Sequence, residues 1–121
     1  MIRAALVISA LLAAPLPAPA QEAATGTGAV LRVLDRVPGR TLDLEIPSGL
    51  SATFGRLTIT VAECRYPAAD PGSDAWAHVT ILDSRTPEAP EFRGWMIASS
   101  PALSALDHRR YDVWVIRCNT S

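Results

Sequence analysis

The sequence predicts an all-β chain: a single small antiparallel β-sandwich or partly closed barrel, with one short helix near 101–106. Three observations carry this expectation. Apolar and polar residues alternate with period two in Thr41–Ile46 (TLDLEI) and Ala75–Asp83 (AWAHVTILD), as strands with one buried and one wet face do. Turn-forming clusters recur about every ten residues, at Pro38-Gly39, Pro47-Ser48-Gly49, Pro67–Ser73 and Ser84–Glu91, a spacing typical of sandwiches and small barrels. The clearest helix signal is brief. Ser99-Ser100-Pro101 offers a serine to cap free N–H groups and a proline at the first helical position, where a missing N–H costs nothing.

The 121 residues suffice for one domain. Residues 1–20 read as a targeting segment. Arg3 gives a positive start, Ala4–Ala14 is an apolar run, and Ala18-Pro19-Ala20 is a small-x-small cleavage pattern. The apolar run is shorter than the roughly 20 residues that span a bilayer. Cleavage after Ala20 and a periplasmic location are therefore expected, with no transmembrane segment afterwards. Residues 21–29 (QEAATGTGA) are small and polar and read as a flexible lead-in. Residues 30–121 form the single β domain.

Taken in order, Val30–Val37 is apolar enough for a strand, and Thr41–Ile46 places Leu42, Leu44 and Ile46 on one face. In Arg56–Tyr66, Leu57, Ile59 and Val61 share a face, but the next inward candidates, Ala62, Cys64 and Tyr66, have the opposite parity. A strand changes faces only through an extra residue, so a bulge is expected near Val61–Glu63. Ala75–Asp83 and Phe92–Ala98 are the next strands, and Ala102–Leu106 allows about one and a half helical turns. In the last strand, Tyr111–Cys118, simple alternation puts Trp114, Ile116 and Cys118 on one face and Tyr111, Val113, Val115 and Arg117 on the other. Trp114 is expected in the core, where aromatics supply most of a small sandwich's apolar contact.

The formal net charge is −1, with no lysine and no basic run. This composition argues against a nucleic-acid partner or an anionic membrane surface. Cys64 and Cys118 are the only cysteines. In an oxidising compartment they are expected to form a disulfide, which chain-entropy arguments value at about 4 kcal/mol. No cofactor motif is present.

The stretch Gly94–Cys118 concentrates the remaining chemistry. Ser99, Ser100, Asp107, His108 and Asp112 supply the residue types of a serine hydrolase, with Ser100, His108 and Asp112 the best trio. No GxSxG elbow accompanies them, and capping and turn roles explain the same residues. His78, His108, Asp107 and Asp112 lack the spacing of a metal site, so no metal is expected. Trp95, Arg109, Arg110 and Tyr111 form the candidate binding set, with Trp76 and Arg93 as further contact candidates. An exposed aromatic anchors a contact and arginines bond at its rim.

The same stretch, GWMIASSPALSALDHRRYDVWVIRC, resembles the hallmark of a family of small exported alphaproteobacterial proteins known as domain of unknown function 2155. The similarity extends through VLRVLDRVPGRT and LTITVAEC, and both Cys64 and Cys118 fit it. It implies a periplasmic setting and brings no activity, cofactor or catalytic residue. The first functional reading is a non-enzymatic periplasmic binding or assembly module that engages an envelope protein or a glycan. The alternatives are a small hydrolase using Ser100, His108 and Asp112, and a structural accessory subunit of a respiratory or envelope complex.

Overall fold

A computed structural model describes residues 9–10, 12–15 and 22–120. The expected cleavage point after Ala20, and most of the apolar run before it, lie outside the described residues. The strands are β1 (Ala23–Thr25), β2 (Gly28–Asp35), β3 (Arg40–Pro47), β4 (Ser51–Phe54), β5 (Leu57–Pro67), β6 (Trp76–Asp83), β7 (Phe92–Ile97) and β8 (Tyr111–Asn119). They form two antiparallel sheets, so the fold is a sandwich rather than a closed barrel. In the larger sheet β6 lies between β5 and the edge strand β7, while β1 and β4 pair with different stretches of the long strand β5. The smaller sheet runs β3-β2-β8. The expected helix is a single 3-10 turn, Pro101–Ser104. No helix among the described residues is long and apolar enough to cross a membrane.

The core follows from strand alternation. Leu31 and Val33 of β2 and Val113 and Val115 of β8 face Leu57, Ile59 and Val61 of β5 and Val79 and Ile81 of β6, all buried. Burying each such side chain contributes about 1.5–3 kcal/mol relative to leaving it in water. The expected bulge is present. The β5–β6 register slips between Val61 and Glu63, leaving Ala62 as the unpaired, exposed residue. Inward parity thereby passes from Val61 to Cys64.

Strand β8 contains a second bulge that simple alternation does not anticipate. Leu31 pairs with Val115 and Val30 with Arg117, so Ile116 is the extra residue. Tyr111, Val113 and Val115 face inward, and so does Cys118. Trp114 consequently lies half-buried on the outer face, not in the core. Each bulge precedes a cysteine by two residues and turns it inward. The result is the Cys64–Cys118 disulfide, with Cα atoms 5.7 Å apart, joining the two sheets.

The stretch 21–29, read as flexible, instead supplies β1 and the start of β2. Its small residues serve close packing. The Gly26 N–H donates to the Cys64 carbonyl at 2.7 Å and the Thr27 N–H to the Asn119 carbonyl at 2.8 Å, so the chain passes between the sheets beside the disulfide. A Cβ on Gly26 would meet the Asn119 oxygen at 2.5 Å and the Cys118 Cβ at 3.1 Å. A second correction concerns Ser100, whose side chain makes no capping bond. Ser99 is the tethered serine: its hydroxyl donates to Asp74 Oδ2 at 2.8 Å and its N–H to Asp74 Oδ1 at 3.0 Å.

Reduction of the disulfide, or Cys118→Ser, is expected to lower unfolding stability by about 3–4 kcal/mol. Urea titrations with and without reductant measure it. Coincident midpoints would show that the crosslink does not brace the sandwich.

Candidate functional site

The loop Leu106–Arg110 enters β8 at the end of the sandwich where β6 and β2 finish. Two carboxylates there fall in inward strand register. Asp83 continues the buried series Ala77, Val79, Ile81, and Asp35 continues Leu31, Val33. An ionised carboxylate facing a core needs partners, and the loop supplies them. His108 Nε2 lies 2.9 Å from Asp83 Oδ2. Its Nδ1 accepts the backbone N–H groups of Arg110 at 3.0 Å and Tyr111 at 3.2 Å. The neutral ring therefore carries its proton on Nε2 and donates it to Asp83. Arg56 Nη2 reaches the same Asp83 oxygen at 3.2 Å, and the Arg85 N–H donates to Oδ1 at 2.9 Å. Arg110 grips Asp35 with two bonds of 2.9 Å each. Tyr111, fully buried, accepts the Arg56 N–H at 3.2 Å with its hydroxyl.

These partners set the acidities. The Arg85 N–H first, then His108 and more weakly Arg56, hold the Asp83 carboxyl below its usual range, against the opposing effect of burial. The Arg110 guanidinium does the same for Asp35, helped by the Val37 N–H, again against burial. Residues from both sheets and four loops thus close into one polar knot.

The geometry leaves little chemistry free. Neither ring nitrogen of His108 is open to take a serine proton. Its carboxylate partner is Asp83, while Asp112 accepts the Val113 N–H at 3.0 Å and lies 3.7 Å from Arg36. Ser100, His108 and Asp112 therefore do not form a hydrogen-bonded relay. Donor atoms of Asp83, Glu91 and His108 gather within 4.8 Å of one another. However, Arg56 and the His108 N–H already occupy Asp83 Oδ2, and the Arg85 N–H its Oδ1. His78, on the outer face of the larger sheet, is not in this group. A cleft of about 420 Å³ lies over the knot, rimmed by Arg85, Glu91, Asp107 and Arg109.

The candidate binding residues separate onto different surfaces. Arg109 is exposed at the cleft, Arg110 is held by Asp35, and Tyr111 is core. Trp95 stands apart on β7, 39% exposed on the outer face of the larger sheet. There Glu63, His78 and Trp95 form one cross-strand row and Arg65, Trp76 and Ile97 the next. His78 packs edge-on against the Trp95 ring at 5.4 Å, and the Arg65 guanidinium lies 5.8 Å from its centroid. Sequence reasoning missed Asp83, Asp35 and Arg56. The available signal was parity: an acid in the inward register at a strand end calls for a cationic or N–H partner.

Fold and site together define a small disulfide-braced β-sandwich in which, among the described residues, the buried carboxylates Asp35 and Asp83 are bonded within one ionic cluster and the exposed Trp95 lies on a sheet face. The chain belongs to the family described as uncharacterized protein conserved in bacteria (DUF2155), whose model matches residues 29–118. It is also similar to the uncharacterized protein RP359 of Rickettsia prowazekii (strain Madrid E), 24% identical over 94 residues, 76% of this chain. The match spans 61% of that relative's length. No solved structure matches the chain.

The depressed acidity of Asp83 has a definite sign. A carboxyl held lower in the folded state than in the unfolded chain contributes its full stability above the unfolded value, near pH 4. That contribution is lost as pH falls through the lower folded value. Wild-type stability is expected to decline below about pH 4, with a shallower decline in Asp83→Asn. The variant should also be less stable at pH 7 by about 1–3 kcal/mol. Urea unfolding from pH 2 to 7 checks both, and identical slopes would remove Asp83 from the account.

Proposed function

We propose that this chain is an exported, non-catalytic binding module of the bacterial cell envelope. It acts through the outer face of the larger sheet around Trp95. The observation that carries the reading is the exposure of Trp95, a large ring held by Arg65 and His78 rather than left free to rotate. A rigid aromatic gives contact area at low entropic cost, as binding anchors do. The competing chemistry is already engaged: His108, Asp83, Asp35 and Arg110 are bonded to one another and to backbone. Export is supported by the N-terminal pattern ending at Ala20 and by the cysteine pair.

Osmotic-shock fractionation followed by mass spectrometry is expected to find the chain beginning at Gln21, in the periplasm, with its cysteines joined. Added to washed native envelopes, the purified mature protein should be retained. Trp95→Ala should cut retention at least about tenfold, as loss of an anchor ring does, while the thermal midpoint barely moves. Equal retention of the variant would contradict the assignment of the surface, and recovery of the uncleaved chain in the cytoplasm would contradict the location.

A further inference from the structure

Resting on that reading, we infer that the Trp95 face takes a carboxylate-bearing glycan, the amino-sugar strand of the bacterial wall. Three features of the face select this occupant over a protein surface.

The first is that the exposed ring, with Trp76 and Ile97 in the row on one side of it, opens on the other side onto a field of polar groups. The row beside it runs Ser51, Thr60, Thr80, Arg93 across four strands, and beyond it lie Thr53, Thr58 and Leu82. A protein interface core is a contiguous apolar patch ringed by polar groups. A sugar presents one C–H face to a ring and hydroxyls to everything around it, which this arrangement matches.

The second is charge. Arg93 is exposed and has no ion-pair or hydrogen-bond partner among the described residues. Among the described carboxylates Arg65 pairs only with Glu63, at 3.4 Å, with half of its side chain in solvent. Guanidinium groups favour carboxylates through paired bonds. The charge that this face leaves unmatched is therefore positive, and its complement is an acid on the ligand.

The third is spacing. Trp95 and Arg93 point to the same side of β7, two residues apart, which is about 7 Å. A sugar stacked on the ring thus brings a substituent on the same or the adjoining unit to the Arg93 guanidinium, while Arg65 waits at the other side of the ring.

The test is co-sedimentation of the mature, disulfide-bonded protein with wall sacculi stripped of protein by detergent and protease. Soluble chitohexaose and a disaccharide-peptide wall fragment are titrated in parallel and followed by NMR. Expected are sedimentation with sacculi, at least tenfold weaker in Trp95→Ala and three- to tenfold weaker in Arg93→Ala. The acidic fragment should bind several-fold tighter than neutral chitohexaose, with amide shifts confined to β5, β6 and β7. Equal affinity for the two soluble probes would remove the carboxylate from the inference. Binding unaffected by Trp95→Ala, or shifts mapping to the Arg109 cleft, would overturn the site. Trp95-dependent retention on native envelopes without sedimentation on stripped sacculi would overturn the glycan and leave a protein-binding module. Loss of both would end the binding reading itself.

Discussion

Two strands of this sandwich change faces just before a cysteine, and the architecture depends on that coincidence. Side chains alternate strictly along a strand, so a residue that must cross from one face to the other needs an extra residue to do so. Ala62 in β5 and Ile116 in β8 are those residues. Were both residues paired in regular alternation instead of bulged, Cys64 and Cys118 would point to opposite outer surfaces of the sandwich. With them the two sulfurs meet in the interior, and the crossing chain at Gly26–Thr27 closes over the junction with two short backbone hydrogen bonds. In a domain of this size the margin between burial and chain entropy is thin, so a bond between its sheets carries a sizeable share of the stability.

The opposite brace is electrostatic. Asp83 and Asp35 end their strands in inward register, where an unpaired carboxylate would be untenable. The His108–Tyr111 loop exists in its observed shape because it answers both acids at once: the imidazole for Asp83, the Arg110 guanidinium for Asp35. Arg36 fastens the same loop from outside by donating to the His108 carbonyl at 2.8 Å. A histidine so fully engaged orients backbone rather than reacting. Of the three residues that most resemble catalytic machinery in the sequence, His108 is thus bound into the fold, whereas Ser100 makes no capping bond.

Much of this was legible before the structure. The alternation in Thr41–Ile46 and Ala75–Asp83 marked β3 and β6, the parity conflict before Cys64 located one bulge, and two cysteines in a chain read as exported implied their bond. What escaped was set by tertiary neighbours. The β8 bulge left no sequence trace, because Val115, Ile116 and Arg117 are compatible with unbroken alternation, and Trp114 was misplaced in consequence. The residues before Val30 looked like a loose lead-in because their smallness, which permits close approach to the disulfide, also marks flexible chain. Ser100 had the composition of a cap, but Asp74, distant in sequence, engages Ser99 instead. Trp95 was legible as a contact residue only as a type. Its separation from Arg109 follows from strand alternation, which turns Trp95 to the outer face of β7, while Arg109 lies in the loop before β8 at the end of the sandwich.

The central claim is that face-switching residues, rather than cysteine placement alone, make the crosslink between the sheets. Deleting Ala62 together with Glu63 tests it most directly, because Cys64 then follows Val61 directly and alternation turns it to the outer face, while both cysteines stay in the chain. After oxidative refolding, thiol alkylation and mass spectrometry report the state of the sulfurs. The account predicts that Cys64 and Cys118 remain alkylatable, or pair between chains. An intramolecular Cys64–Cys118 bond formed as fully as in the parent protein, with an unchanged thermal midpoint, would contradict it.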